Sequence, residues 1–148
     1  MSIHESIRRA AAVLSWLAAF AGGAASNANA ADELPPFRPG MWQLNRTVEE
    51  PGVPPMNVET RNCLDPSAEM RRMWDAMNGS GCVYPPMAKS GNTFTLTADC
   101  KLGDATTRSR TVITVESDSA YSVAVTTTSG ERQSRETMSA QRVGDCSP

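Results

Sequence analysis

The alternation of apolar and polar residues in the C-terminal half of the chain predicts a run of β-strands. The segment Thr93–Cys100 alternates without a break, and its apolar side carries Phe94, Leu96, Ala98 and Cys100. A period of two residues is typical of a strand with one buried and one solvated face. Three further segments follow, separated only by short turns: 106–117, 120–129 and 132–143. Turns this short connect antiparallel neighbours, so this half predicts an antiparallel meander.

The N-terminal half predicts two more strands and a weak third. Met41–Val48 places Trp42, Leu44 and Val48 on one face, and Val58–Leu64 reads as a second strand. Three prolines and a glycine between them, at 51–55, predict an extended loop. The segment 82–88 contains two adjacent prolines and is therefore at most an edge strand.

One helix is predicted after Leu64. Asp65 can cap its free amides, and Pro66 suits the first helical position because no hydrogen bond is lost there. An apolar stripe follows at helical spacing, made of Met70, Met73, Trp74 and Met77. The glycine-containing segment 78–81 ends the helix. Together these elements predict a mainly β fold: a curved antiparallel meander, partly open and barrel-like, of six to seven strands with one short α-helix and two disulfides.

Residues 1–30 have the pattern of a secretory signal peptide. Arg8 and Arg9 precede a short apolar run at 10–21, and Ala28-Asn29-Ala30 supplies the small residues of a cleavage site. We therefore predict cleavage after Ala30 and a single β-rich domain over residues 31–148. No later apolar run approaches the roughly 20 residues of a membrane span, so the expected location is the periplasm or the exterior.

All four cysteines lie in the predicted exported part: Cys63, Cys82, Cys100 and Cys146. An even number in an exported chain predicts two disulfides. Spacing alone allows three pairings. We favour Cys63 with Cys82, which would pin the helix, and Cys100 with Cys146; the alternative joins Cys63 to Cys100 and Cys82 to Cys146.

The ordered set of these motifs resembles a known family. Pro39-Gly40-Met41-Trp42 opens the first strand, the four cysteines follow, and Arg142-Val143-Gly144-Asp145-Cys146 closes the chain. This pattern resembles domain-of-unknown-function family 3617, whose members are exported bacterial proteins with a PGxW start and a GDC end. The resemblance covers nearly the whole predicted domain. It implies a bacterial periplasmic or extracellular protein and no particular activity.

Charge and composition argue against several classes of function. The formal net charge is −2, which disfavours nucleic acid as a partner because such binding neutralises phosphates. The single histidine, His4, falls in the predicted signal peptide, so the predicted domain has no imidazole group for catalysis. We therefore expect neither an enzyme nor a cofactor.

The remaining candidates are apolar. A half-open sheet can hold an apolar ligand on its concave face, and the aromatic residues available for contact are Trp42, Trp74, Phe94 and Tyr121. Packing by the protein's own side chains is the simpler expectation for that space. The leading hypothesis is a non-catalytic binding or interaction module for a small apolar or amphipathic ligand or an envelope protein. The alternative is a periplasmic Cu(I) site, since thioethers are soft ligands, built from Met70, Met73 and Met77.

Overall fold

The protein is mainly β, as the alternation predicts. The computed structural model describes residues 34–77 and 81–147, so the predicted signal peptide and its cleavage site lie outside the described part. One helix, α1, spans Pro66–Met77. The strands are β1 (Gly40–Glu49), β2 (Met56–Leu64), β3 (Cys82–Val83), β4 (Ala88–Ser90), β5 (Thr93–Leu102), β6 (Ala105–Ser117), β7 (Ala120–Ser129) and β8 (Arg132–Gly144).

These strands form one antiparallel sheet of eight strands, curved but not closed. The order is β2-β1-β8-β7-β6-β5-β3, and β4 also pairs with β5. The predicted edge segment 82–88 contributes β3 and leads into β4, two short strands on either side of its prolines, and this accounts for the count of eight. The last strand returns to pair with the first, Leu44 lying opposite Ala140. The meander is thus extended by a long-range pairing between the two ends of the domain.

One face of the sheet, here called the inner face, carries the core. The predicted alternation of β5 is confirmed, since Phe94, Leu96 and Ala98 are all buried. At one end of the inner face, the Trp42 ring packs 6.2 Å from the ring of Phe37 and 5.6 Å from that of Tyr121. The Trp42 indole N–H donates to the carbonyl of Arg38 over 3.1 Å. This aromatic cluster fills that end of the inner face.

Helix α1 begins as its sequence predicts. The backbone N–H of Ala68 donates to Asp65 Oδ1 over 3.0 Å, which confirms Asp65 as the cap. Met70 and Trp74, one turn apart, are the buried positions of the stripe, so this side of the helix faces the sheet. The Ser67 hydroxyl accepts a hydrogen bond from the Phe37 amide at 2.9 Å, and this ties the start of the helix to the segment before β1.

The favoured disulfide pairing and its named alternative are both wrong, and the third of the three possible pairings is the one observed. The bonds join Cys63 to Cys146 and Cys82 to Cys100. Cys82 and Cys100 are direct partners in the β3–β5 ladder, with Cα atoms 4.0 Å apart. Cys63 lies opposite Met41 on β1, which pairs on its other side with Gly144 on β8. The strand order therefore brings Cys63 and Cys146 together at one end of the sheet. No disulfide joins Cys63 to Cys82, the two cysteines on either side of the helix.

The opening and closing sequence motifs meet at that same end, in what we call the motif junction: Pro39, Gly40, Arg142, Gly144 and Asp145. Arg142 Nε donates to the Pro39 carbonyl over 2.9 Å, and its guanidinium also pairs with Asp145. The β1–β8 register shifts here, because Met41 pairs with Gly144 while Trp42 pairs with Arg142. The motifs that carry the family resemblance thus build a structural joint.

Candidate functional site

The main candidate site is a cavity of about 500 Å³ between α1 and the inner face of the sheet. It lies beyond the end that the aromatic cluster fills. The inner face is thus packed by the protein's own side chains at one end and open at the other. Small-molecule sites in proteins typically enclose about 300–1,000 Å³, so the cavity has the size of a ligand site.

The sheet wall of the cavity is built from the inward positions of four neighbouring strands. Leu96 and Ala98 come from β5, Ile113 from β6, Val123 and Val125 from β7, and Met138 from β8. Strand registry places them in adjoining rows, since Ile113 is opposite Val123 in the ladder. Alternation sends their neighbours in sequence to the other face, which is why a largely apolar wall can form from strands rich in Thr and Ser.

The helix wall is the methionine stripe. Met70, Met73, Trp74 and Met77 all line the cavity. Met70 is buried, whereas Met73 is half exposed and lies towards the rim. Met138 of β8 lines the opposite wall, so four thioethers face one space. Flexible, polarizable methionine side chains adapt to irregular apolar surfaces.

Two carboxylates also line the cavity, and each is paired with an arginine. Glu136 on β8 accepts two hydrogen bonds from Arg46 on β1, at 2.6 and 2.7 Å. These bonds and the charge of Glu136 raise the pKa of the Arg46 guanidinium above its ordinary value. Glu69 at the helix pairs with Arg72. Both carboxylates of the lining are therefore paired with a positive charge.

Trp74 has a buried indole N–H that finds no acceptor in the described part of the chain. Such a donor costs about 1–3 kcal/mol. The nitrogen itself is shielded from solvent, so the Trp74 ring faces the cavity with carbon atoms rather than with its polar edge. The residue thus adds apolar surface to the wall.

The structure divides the aromatic residues singled out from the sequence into two groups. Trp74 and Tyr121 line the cavity. Trp42 and Phe94 are buried in the core, with no more than 1 % of either exposed, and are not part of the lining. The role of all four aromatic residues in binding stays a prediction. The three methionines of the alternative copper site, Met70, Met73 and Met77, all belong to the lining.

The contributions of β8 were missed from the sequence. Glu136 and Met138 face inward, yet the inward positions of this strand mix polar and apolar types: Ser134, Glu136, Met138, Ala140 and Arg142. Hydrophobic periodicity therefore gives no signal there. The spacing of Arg46 and Glu136 would have become informative only with the β1–β8 pairing in hand.

These features define a class of protein: a small, doubly disulfide-linked antiparallel β domain with one helix over a cavity. Disulfide-bonded proteins are typical of compartments outside the cytoplasm. Within this class the chain belongs to the family described as "protein of unknown function (DUF3617)", whose sequence model matches residues 37–146. The resemblance read from the motifs is confirmed. Searches of curated proteins and of solved structures each found no match.

The described residues contain no helix that is long and apolar enough to cross a membrane. They also contain no cluster of three or more His, Cys, Asp or Glu side chains with the geometry of a metal site.

Proposed function

We propose that this protein is a non-catalytic binding module that holds a small apolar or amphipathic ligand in the cavity between α1 and the sheet. The observation that carries the proposal is the cavity itself, about 500 Å³ of space with apolar side chains on both walls. Removing apolar ligand surface from water stabilises a complex by about 25 cal/mol per Å² before the costs of association. A wall of this kind therefore suits an apolar ligand.

The pairing of both lining carboxylates supports an uncharged ligand body. Glu136 with Arg46 and Glu69 with Arg72 leave no isolated charge for an ionic ligand to neutralise. Both pairs lie at partly exposed positions, where a polar head group would remain in contact with water. An amphipathic molecule would then place its chain inside and its head at the rim.

The setting proposed for this activity is the bacterial periplasm or the exterior. The two disulfides support it, and the signal peptide predicted over residues 1–30 would provide the route. An apolar molecule crossing an aqueous compartment needs to be shielded from water. A single-domain carrier or sensor of such a molecule is the role that best fits the cavity.

The proposal is tested with two neighbouring residues that face opposite sides of the sheet. Val125 lines the cavity, whereas Ala124 is exposed on the other face. Val125→Trp should fill the cavity and lower the affinity for a long-chain alcohol at least tenfold, because a large side chain then competes with the ligand for the space. Ala124→Trp should bind as the wild type does. Binding is measured by calorimetry and by the rise in melting temperature.

Two results would contradict the proposal. One is a wild-type protein that binds no member of a panel of long-chain alcohols, monoacylglycerols and apolar ring compounds and carries none after gentle purification from its envelope. The other is equal loss of affinity in both tryptophan variants, which would place binding away from the cavity.

A Cu(I) site is the second candidate, and the observation that favours it is the presence of four methionines around one cavity. Met70, Met73 and Met77 on the helix face Met138 across the space. Packing explains the same residues, because methionine fills irregular apolar spaces well. A competition titration with a Cu(I) chelator separates the two: only a metal site loses affinity in Met73→Leu, which keeps the apolar volume but removes the sulfur.

A further inference from the structure

The two edges of the sheet are unequal. At the β5 edge, the short strands β3 and β4 cover part of the ladder, and Pro85 and Pro86 lie between them. Short strands and prolines are common devices that prevent further pairing at an edge. At the other edge lies β2, nine residues long, with no strand beyond it among the described residues.

Strand β2 lacks several of the features that protect sheet edges, and its charged residues are Glu59 and Arg61. It contains no proline and no lysine, and its register with β1 continues from end to end without a bulge. All of its residues but Leu64 are exposed. Met56 and Val58 present apolar side chains there, 55 % and 39 % exposed. A long, regular and exposed edge of this kind offers free backbone hydrogen-bonding groups to another strand.

We infer that β2 is the self-association edge of the protein, pairing antiparallel with β2 of a second copy about a two-fold axis through Thr60. Thr60 is the midpoint of Met56–Leu64, so this register aligns all nine residues of both strands. A two-fold axis makes each contact occur twice. The two sheets would join into one continuous antiparallel sheet.

The charges of β2 select this register. With Thr60 opposite Thr60, each Glu59 lies directly across from the Arg61 of the other copy. Opposite charges in direct cross-strand contact are favourable, and like charges there are unfavourable. A shift of two residues one way sets Glu59 against Glu59, and the same shift the other way sets Arg61 against Arg61.

The apolar residues agree with the same register. It places each Met56 opposite the Leu64 of the other copy, on the inner face. Leu64 is already partly buried against the core, so the contact would extend the apolar surface across the dimer interface. Shifts by one residue would instead place inward side chains against outward ones. The register with Thr60 opposite Thr60 thus gives full overlap of the two strands, pairs opposite charges and keeps inward side chains on the same face.

The test reverses one charge at a time. Glu59→Arg and Arg61→Glu each turn both cross-strand ion pairs into repulsions, so each should raise the dimer dissociation constant by about tenfold or more. The double variant, Glu59→Arg with Arg61→Glu, restores opposite charges across the axis and should dimerise like the wild type. Asp104→Arg serves as the control, since Asp104 is exposed in the β5–β6 turn, far along the strand order from β2.

A mixture of the two single variants gives a sharper readout. The Glu59→Arg chain carries two arginines beside Thr60, and the Arg61→Glu chain carries two glutamates there. In a mixed pair each arginine faces a glutamate, so the mixture should form heterodimers while each variant alone stays largely monomeric.

Mass is measured by sedimentation velocity and native mass spectrometry on protein exported to the periplasm. Melting curves show whether Arg61→Glu, which loses its hydrogen bonds to Gln43, is still folded.

Hydrogen exchange supplies the second measurement. The β2 amides should gain protection as the wild-type concentration rises, and those of Glu59→Arg should not. A monomeric mass at every concentration with unchanged β2 exchange would overturn the inference. So would a dimer that all three variants form equally well, because its interface would then lie elsewhere.

Discussion

Gly40 shows at the scale of one residue why the opening motif needs its glycine. A Cβ atom added at Gly40 would lie 2.5 Å from Arg142 Nε and 2.5 Å from the Gly144 carbonyl oxygen. Real Cβ atoms do not approach other atoms so closely, so the motif junction would have to open. The glycine is explained by close approach of two strands.

Gly40→Ala should therefore destabilise the protein by about 1–3 kcal/mol, the usual cost of forcing an extra carbon into a packed site. Gly144→Ala is the matched control, because a Cβ there meets no atom within 4 Å, and it should change stability much less. Urea unfolding of both variants gives the comparison. Equal effects would show that the junction does not depend on this contact.

Tyr121 belongs to both the aromatic cluster and the cavity wall. Its ring lies 4.6 Å from Phe37, and burial raises the pKa of its phenol above the ordinary value of 10.0. Above about pH 10 the unfolded chain releases this proton while the folded chain keeps it. The stability tied to Tyr121 is therefore complete below pH 10 and falls as the pH rises towards the folded-state pKa.

Tyr121→Phe should make the alkaline loss of stability shallower, since phenylalanine has no proton to release. Unfolding midpoints measured from neutral pH to about pH 11 test this, with Tyr84→Phe as the control substitution. A slope in Tyr121→Phe identical to that of the wild type would show that Tyr121 does not govern the alkaline limb.

Among the elements, the disulfides mark where sequence reasoning reached its limit. Local alternation predicted the longer strands and the helix nearly to the residue, because period and capping are local properties. The pairing of Cys63 with Cys146 depends on β8 returning beside β1, a contact between residues about a hundred positions apart. Nothing in the local pattern of either strand specifies that neighbour, and for this reason both the favoured pairing and its alternative were wrong.

The two bonds should contribute unequally. Cys63–Cys146 spans 83 residues of chain and Cys82–Cys100 spans 18. In the chain-entropy model their loss costs about 4–5 and about 3 kcal/mol respectively. Denaturant unfolding of the two double Cys→Ala variants checks the order. A larger loss for the Cys82–Cys100 pair would mean that strain or residual structure, rather than loop length, decides the effect.

At the scale of the whole molecule, the cavity is the feature that the sequence only half predicted. The helix stripe indicated which helical residues face the sheet. Trp74 and Tyr121 both line the cavity, and their role in binding stays a prediction. How much of that space stays empty depends on the total side-chain volume on four strands and on the distance between α1 and the sheet. Neither quantity can be read from the alternation of apolar and polar residues. The sequence therefore could not distinguish a core filled by side chains from one that contains a cavity.

The proposed function depends on that space being a binding site for an apolar ligand. Trp74 lines the cavity, whereas Trp42 is fully buried in the aromatic cluster. An alkyl chain that carries bromine quenches tryptophan fluorescence only on near contact, so a brominated long-chain alcohol reports which indole it touches. We expect saturable quenching in the wild type and in Trp42→Phe, and its loss in Trp74→Phe. Quenching that persists in Trp74→Phe, or none in the wild type, would contradict it.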